Sequence, residues 1–367
     1  MKITRLSLWH VPLTSHETYY MADGKACATV ETVVLRVDTD EGIVGWGEVC
    51  PIPHYLPAYA RGVGPALTDL APVVLGGDPL GAEALMARAD AYLHGHVYAK
   101  SALDIALWDI TGKAAGLPLF ALLGGRQNER LPLYHSITCI DPDEMARIAR
   151  DAQATGITQF QAKLGASGDW STDVERLIKV REAVGPGPLV YGDWNCGATS
   201  LDASRVARAV VHLDIMIEQP CPTIDDCARV KSASGHPMKL DEVAHDTPSL
   251  LEAHEKGCMD AVALKLSKFG GLSATRRARD LCYHLGAKMC VEDTWGGDIT
   301  TAALLHLASS TSPKQLLNTC DLSGYVAPRL APDCPVRDHG SILPPEGPGL
   351  GITPDLELLG APDLILD

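Results

Sequence analysis

Gln159-Phe160-Gln161-Ala162-Lys163, Leu189-Val190-Tyr191-Gly192-Asp193, Ile215-Met216-Ile217-Glu218, Met238-Lys239-Leu240-Asp241 and Ala261-Val262-Ala263-Leu264-Lys265 are five short strand-like runs, each closed by a charged residue. The closing residues lie 30, 25, 23 and 24 positions apart. A strand and the helix that returns the chain to the next strand take roughly 25 residues, so the interval is that of consecutive βα units. Strand starts near Leu131, Thr158, Leu189, Ile215, Met238, Ala261, Lys288 and Gln315 number eight, and residues 143–153, 171–183 and 273–285 between them have helix-forming composition. Eight units predict an α/β fold of the modified (β/α)8-type barrel class rather than an open doubly wound sheet.

Outside this region the patterning changes. Thr29-Val30-Glu31-Thr32-Val33-Val34-Leu35-Arg36-Val37 leads through an Asp40-Glu41-Gly42 turn into Ile43-Val44-Gly45-Trp46-Gly47-Glu48, which reads as an antiparallel meander. Ala102, Leu103, Ala106, Leu107 and Ile110 recur at helical spacing, and Gly116 and Pro118 stop that helix. These features predict an N-terminal α+β capping domain over residues 1–125, a barrel over 126–325, and a Pro- and Gly-rich segment over 326–367 that packs back on the capping domain.

The 367 residues carry a net charge of −15 with no cluster of Lys or Arg, which argues against nucleic acid or an anionic membrane as partner. The start lacks the apolar core of a signal peptide, and no apolar run approaches membrane-spanning length. Eleven cysteines without a C-x-x-C pair read as reduced thiols, so a cytoplasmic protein is expected, and a homo-oligomer. No phosphate-cradling glycine motif is present.

Barrel sites lie at the C-terminal ends of the strands, where all five closing residues fall. Asp193, Glu218 and Asp241, with no Cys or His among them, form a hard-oxygen set suited to Mg²⁺, or Mn²⁺ as a substitute. Lys163 and Lys265 flank them. A lysine acts as a base only when neutral, and burial with a cation and Lys268 nearby would lower its pKa. A carboxylate substrate would then lose its α-proton to one lysine, with the cation stabilising the enolate. A Schiff-base lyase is the competing use of a barrel lysine. Lys239, on the same strand face as Asp241, reads as a buried structural ion-pair partner beneath the metal.

With Gly42-Ile43-Val44-Gly45-Trp46-Gly47-Glu48, Ala102-Leu103-Asp104-Ile105-Ala106-Leu107-Trp108-Asp109, Gln161-Ala162-Lys163, Asp193-Trp194-Asn195, Glu218-Gln219-Pro220, Asp241-Glu242 and Leu264-Lys265-Leu266-Ser267-Lys268-Phe269-Gly270-Gly271-Leu272, the chain resembles the enolase superfamily over essentially its whole length. The resemblance is to the mandelate racemase/muconate-lactonizing-enzyme subgroup. It implies Asp193, Glu218 and Asp241 as Mg²⁺ ligands and Lys163 and Lys265 as opposed acid/base residues, with Gln161, Glu242 and Lys268 behind them. Gln161 replaces the first lysine of the subgroup's K-x-K, and Asp321-Leu322-Ser323 keeps only the first carboxylate of its D-x-D, which argues against a dipeptide epimerase.

The same resemblance implies a small-molecule carboxylate substrate whose far end is read by capping loops 15–20 and 51–55 and by the last strand ends. Tyr20, His54, Tyr55, Asn195, Asp293, Thr294, Trp295 and Asp321 are the candidate contacts. Asp293 and Asp321 would suit a substrate ammonium and Trp295 a cation, so an amino or imino acid is expected. Trp295-Gly296-Gly297-Asp298 resembles the branch of hydroxyproline-betaine epimerases and cis-3-hydroxy-L-proline dehydratases. A quaternary nitrogen would call for an aromatic where Leu322 stands, whereas carboxylates suit a free ring NH₂⁺, so dehydration is expected, with epimerisation sharing its first half.

Overall fold

A computed structural model describes all of residues 1–367. Strand β1 (Ile3–Tyr20) pairs antiparallel with β2 (Ala26–Thr39), which pairs with β3 (Val44–Val49). Three helices, Val63–Val74, Ala82–Tyr92 and Val97–Ala115, share a buried apolar cluster with one face of this sheet. The last of them is buried on nearly all sides rather than along one stripe, and its buried Lys100, Asp104 and Asp109 are hydrogen-bonded. Gly45 and Gly47 explain its seat against β3: a Cβ at either position would fall inside the contact radius of the Ala106 or Ala102 carbonyl oxygen.

The barrel begins later than the sequence suggests. Leu131–Pro132 (β4) does not join the large sheet but pairs antiparallel with Ser341–Ile342. Pro132 has no N–H to give to a central ladder, and Leu133 makes only a single bridge, to Thr319. The eight parallel strands are β5 (His135–Ile137), β6 (Gln159–Lys163), β7 (Leu189–Asp193), β8 (Met216–Glu218), β9 (Met238–Leu240), β10 (Ala261–Lys265), β11 (Lys288–Glu292) and β12 (Leu316–Thr319), hydrogen-bonded in chain order. Seven helical connections return the chain between them, the one from β10 to β11 made of Leu266–Phe269 and Leu272–Leu285, and no long helix follows β12. The Leu133–Thr319 bridge ties the segment just before β5 to the β12 edge of the curled sheet.

After β12 the chain returns to the N-terminal sheet. Val326–Ala327 and Leu364–Leu366 both add antiparallel to β1. Trp9, Trp46, Ile105 and Trp108 of the N-terminal region belong to the same buried cluster as the barrel strands, so cap and barrel share one core. All eleven cysteines are free thiols, and no helix is long and apolar enough to cross a membrane.

Candidate active site

Parallel strands in register bring the closing residues to one end of the sheet. Lys163 sits opposite Asp193, Asp193 opposite Glu218, and Lys265 opposite Glu292, while Asp241 follows β9 directly. The turns there are strained: Asn195 and Cys196 after β7 and Gln219 after β8 have φ of 44°, 66° and 32°, a region L-residues rarely adopt. Hydrogen bonds hold them. Asn195 N–H donates to Asp193 Oδ1 at 2.8 Å, and Gln219 Oε1 accepts from Asp241 N–H at 2.7 Å.

Each lysine is paired with a carboxylate. Lys163 Nζ is 2.6 Å from Asp193 Oδ2 and donates to Asn195 Oδ1 at 3.1 Å. Lys265 Nζ is 2.6 Å from Asp241 Oδ2, while Lys268 Nζ is 2.9 Å from Asp241 Oδ1. Gln161 Nε2 bridges Asp193 Oδ2 at 3.1 Å and Glu218 Oε2 at 2.8 Å, filling as a neutral donor the place between the two carboxylates. Asn195 Nδ2 donates to Glu242 Oε1 at 3.0 Å.

In the cation-free protein the two pocket lysines are held up. Burial pulls the Lys163 and Lys265 ammoniums down, but Asp193 and Asp241 at ion-pair distance outweigh it and both pKa values are raised. Lys268 alone moves down, because burial there exceeds the pull of Asp241. Burial pushes the Asp241 carboxyl up, yet Lys265 and Lys268 together hold it well below its usual range. Burial pushes Glu218 up to about 8 despite Lys239, and Glu242 up to about 7 with help from Asp241 and Asp193.

Beneath this layer lies a group the sequence reading assigned only in part. Lys239, fully buried, places Nζ 2.8 Å from Glu218 Oε1 and 3.4 Å from Glu292 Oε1, and over the Tyr191 ring at 4.8 Å. Tyr134 O–H donates to Glu292 Oε2 at 2.6 Å. Oxygens of Glu218, Asp241 and Glu292 all lie within 4.8 Å of one another, so these three, and not Asp193, make the tightest acidic cluster. The Lys239 ammonium already bridges Glu218 and Glu292, however. Of Asp193, Glu218 and Asp241, Asp241 lines the pocket, and the oxygens of the three are held by Lys163, Lys265, Lys268, Gln161 and the Asn195 N–H as well as by Lys239.

That donor set fits a hard divalent cation. Six carboxyl groups (Asp193, Glu218, Asp241, Glu242, Glu292, Asp293) gather with four amines (Lys163, Lys239, Lys265, Lys268), and burial that raises Glu218 and Glu242 marks the acids as short of positive charge. Oxygen ligands with no sulfur or imidazole favour Mg²⁺-like ions over zinc.

Lys163, Lys265, Asp241, Asn195, Gln161, Tyr55, Asp293, Thr294 and Trp295 line one pocket. Three candidate contacts lie elsewhere. Residues 15–20 are not a loop but the end of β1, and strand alternation turns Tyr19 into the pocket and leaves Tyr20 47% exposed. His54 is exposed and borders a separate surface cleft. Asp321 is buried and held by Arg337 through two 2.7 Å hydrogen bonds, so its carboxylate serves a fixed guanidinium and not the pocket. Asp293 lines the pocket, but its oxygens accept from Ser267 N–H at 3.0 Å, Ser267 Oγ–H and Thr294 N–H at 2.7 Å. Burial nonetheless raises it to about 6.

Leu322 also lines the pocket, and Tyr19, Met21, Tyr134, Ser136, Glu292, Cys320 and Tyr325, which were missed, complete the wall. Tyr19 packs edge-on against Trp295 at 5.5 Å and near Tyr325 at 5.9 Å, an aromatic face opposite the lysines' acidic floor. Only Glu292 carried a signal: it closes Lys288-Met289-Cys290-Val291 27 residues after Lys265, on the same rhythm.

Comparison with known proteins agrees along the whole chain. Residues 5–124 match the model of the mandelate racemase/muconate lactonizing enzyme N-terminal domain, and residues 144–358 that of the enolase C-terminal domain-like family. The chain is 40% identical over 364 residues to a cis-3-hydroxy-L-proline dehydratase of Roseibium aggregatum, covering 99% of each protein. It is 29% identical to an N-succinyl-L-Arg/Lys racemase of Bacillus cereus, covering 88% of each. A member of the enolase superfamily from Roseovarius nubinhibens, solved complexed with magnesium, superposes with a TM-score of 0.94 at 36% identity, over 100% of this chain and 99% of that one. The strand-end lysines and carboxylates therefore sit in a fold matched from end to end, and the chain belongs to the mandelate racemase/muconate lactonizing enzyme family of the enolase superfamily.

Proposed function

We propose that the protein removes the α-proton of a small imino-acid carboxylate and dehydrates it, as a cis-3-hydroxy-L-proline dehydratase does. The observation that carries this reading is the pairing of Lys163 and Lys265 across one small pocket, on strands that flank the carboxylate-bearing ones. The 40% identity to a dehydratase of that name supports the substrate class. Asp193, Glu218 and Asp241 would hold Mg²⁺, with Mn²⁺ as a substitute, and the ion would supply positive charge opposite the substrate carboxylate as charge develops there.

In this reading one lysine, deprotonated, takes the α-proton and the C–H electrons become the C2–C3 double bond. The C3–O bond breaks with its electrons, and the hydroxyl leaves as water after taking a proton from the site. The product is an enamine that tautomerises to the cyclic imine. Gln161 and Asn195 orient the acidic residues from behind, while Tyr19, Trp295 and Tyr325 exclude water from the ring.

Epimerisation is the second reading, favoured by the presence of a lysine on each flank and by the racemases among the relatives. The test is proton NMR of cis-3-hydroxy-L-proline with enzyme and Mg²⁺ in D₂O. New olefinic or imine signals with loss of the α-proton are expected, abolished by Lys163→Ala or Lys265→Ala. Deuterium wash-in without new signals would select epimerisation. Activity that survives EDTA, with substrate trapped on either lysine by borohydride, would overturn both in favour of a Schiff-base lyase.

A further inference from the structure

The barrel helices differ in where their N-terminal caps come from. Helices Pro142–Ala154, Trp170–Val184, Ser200–Ala209, Ile224–Ser234 and Thr247–Glu255 are each capped by their own preceding residue: Asp141, Asp169, Thr199, Thr223 and Asp246. The last two, Leu272–Leu285 and Asp298–Ser309, start after Gly271 and Gly297, which have no side chain to give. Their free N–H groups are taken by carboxylates of the N-terminal region. Asp104 accepts from Ser273 N–H at 2.8 Å and Ser273 Oγ–H at 2.5 Å. Glu48 accepts from Gly297 N–H at 2.6 Å and Thr300 N–H at 2.8 Å, and is itself held by Thr32 Oγ–H at 2.8 Å.

Both carboxylates are completely buried, and a helix N-terminus favours a negative charge. The glycines are required by this arrangement: a Cβ at Gly271 would collide with Asp104, and one at Gly297 with Leu330. The two borrowed caps lie directly behind two loops of the pocket. Lys265 to Gly271 carries Lys265 and Lys268, and Glu292 to Gly297 carries Asp293, Thr294 and Trp295. The loops bearing Lys163 and Asn195 lead into helices that cap themselves.

We propose that Glu48 and Asp104 are positioning residues, through which the N-terminal domain sets the Lys265–Trp295 half of the pocket and leaves the Lys163 half to the barrel. The kinetic arm of the test rests on the reading that Lys265 takes part in proton transfer; the exchange arm does not. Hydrogen–deuterium exchange of the full-length protein, followed by mass spectrometry, compares Glu48→Ala and Asp104→Ala with Thr199→Ala and Thr223→Ala, which remove caps of the self-supplied kind.

Asp104→Ala is expected to speed exchange about five- to tenfold in peptides covering 266–275, and Glu48→Ala in those covering 294–302, with peptides covering 164–172 and 195–203 unchanged. In the Mg²⁺-loaded enzyme both should lower kcat about tenfold or more with KM within about threefold, because a displaced group near the reacting atoms costs rate more than binding. The Thr199 and Thr223 variants, matched for loss of thermal stability, should keep kcat within about twofold. Glu48→Gln and Asp104→Asn, which retain the volume and one acceptor oxygen, serve where an alanine variant does not fold, with the same regional pattern expected. Exchange that rises equally in all four regions, or in none, overturns the proposal. Regional loosening in an enzyme whose Lys265→Ala variant is fully active would instead refute the role given to Lys265 and leave the positioning intact.

Discussion

Lys239→Met is the sharpest test of how the acidic floor is held together. The native ammonium is fully buried, 2.8 Å from Glu218 Oε1 and 3.4 Å from Glu292 Oε1, and that Glu218 oxygen has no other hydrogen-bond partner in the protein. Methionine nearly preserves the volume, so the cost is that of stranding buried carboxylates, about 3–5 kcal/mol for breaking one side of a buried pair. Unfolding entropy of about 2.1 cal/mol/K per residue gives about 0.8 kcal/mol/K for this chain, and hence a Tm lowered by about 4–6 °C. The loss should depend on pH in a definite direction. Lys239 and Lys265 outweigh burial and hold Glu292 below its ordinary value; without Lys239 its folded pKa rises above the unfolded one. The folded variant then binds a proton the unfolded chain does not, so its deficit shrinks as pH falls, by up to about 1.4 kcal/mol per unit. Scanning calorimetry at pH 8 and pH 6 on the cation-free protein measures both. A Tm shift under about 1 °C, or a deficit equal at the two pH values, refutes the ion-pair account. Adding Glu292→Gln to Lys239→Met should recover part of the loss.

Adding Mg²⁺ to the cation-free protein at pH 7 should release about one proton per chain or more, because Glu218, at about 8, is largely protonated there and must ionise to hold the ion. Calorimetry in two buffers of different ionisation heat reads the number, and zero release contradicts the carboxylate assignment. His306 is fully buried with Nδ1 accepting from Phe120 N–H, and burial lowers it to about 4. Its folded pKa is below the unfolded 6.5, so its stability contribution is complete above pH 6.5 and declines as pH falls toward 4; wild type should lose about 2 kcal/mol more than His306→Gln between pH 6.5 and 5 by urea titration. Asp321→Asn should lower stability through the lost Arg337 pair while changing the KM for an imino acid less than about threefold, whereas a tenfold rise in KM would return Asp321 to the pocket.

The charged strand ends were legible because two physical demands coincide in them. A parallel strand covered on both faces must be apolar, and the residue that ends it at the barrel mouth is free to be charged, so Lys163, Asp193, Glu218, Asp241 and Lys265 stand out against their own runs. The start of the barrel was misplaced at Leu131 because the apolar pair Leu131 and Leu133 looks like a strand whether it pairs in the sheet or with Ser341–Ile342. Tyr19 and Tyr20 are both tyrosine, so sequence contained no parity signal, and only the register of β1 against β2 separates the inward from the outward ring. Asp321 was misread because its partner Arg337 lies in an aperiodic stretch of prolines and glycines, where neither spacing nor pattern predicts a contact. The borrowed caps were invisible for a related reason: a glycine before a helix marks a missing cap but does not say which distant carboxylate replaces it.

The raised lysines and the excess of buried acid are two sides of one equilibrium. Lys163 and Lys265 stay ionised because Asp193 and Asp241, 2.6 Å away, outweigh the cost of burial. Neither lysine can become a base while it remains the counter-ion of its carboxylate. Whatever draws Asp193 and Asp241 away therefore frees both lysines together, and burial, until then outweighed, drives their pKa values down. Lys268 already shows the outcome: equally buried, but sharing Asp241 with Lys265, it falls below its ordinary value. Ligand binding at the carboxylates and activation of the bases are thus a single coupled step. Asp193→Asn, which removes the Lys163 counter-charge without adding a cation, should lower the Lys163 pKa in the resting protein, and direct titration of that amine by NMR decides whether the carboxylate holds it up.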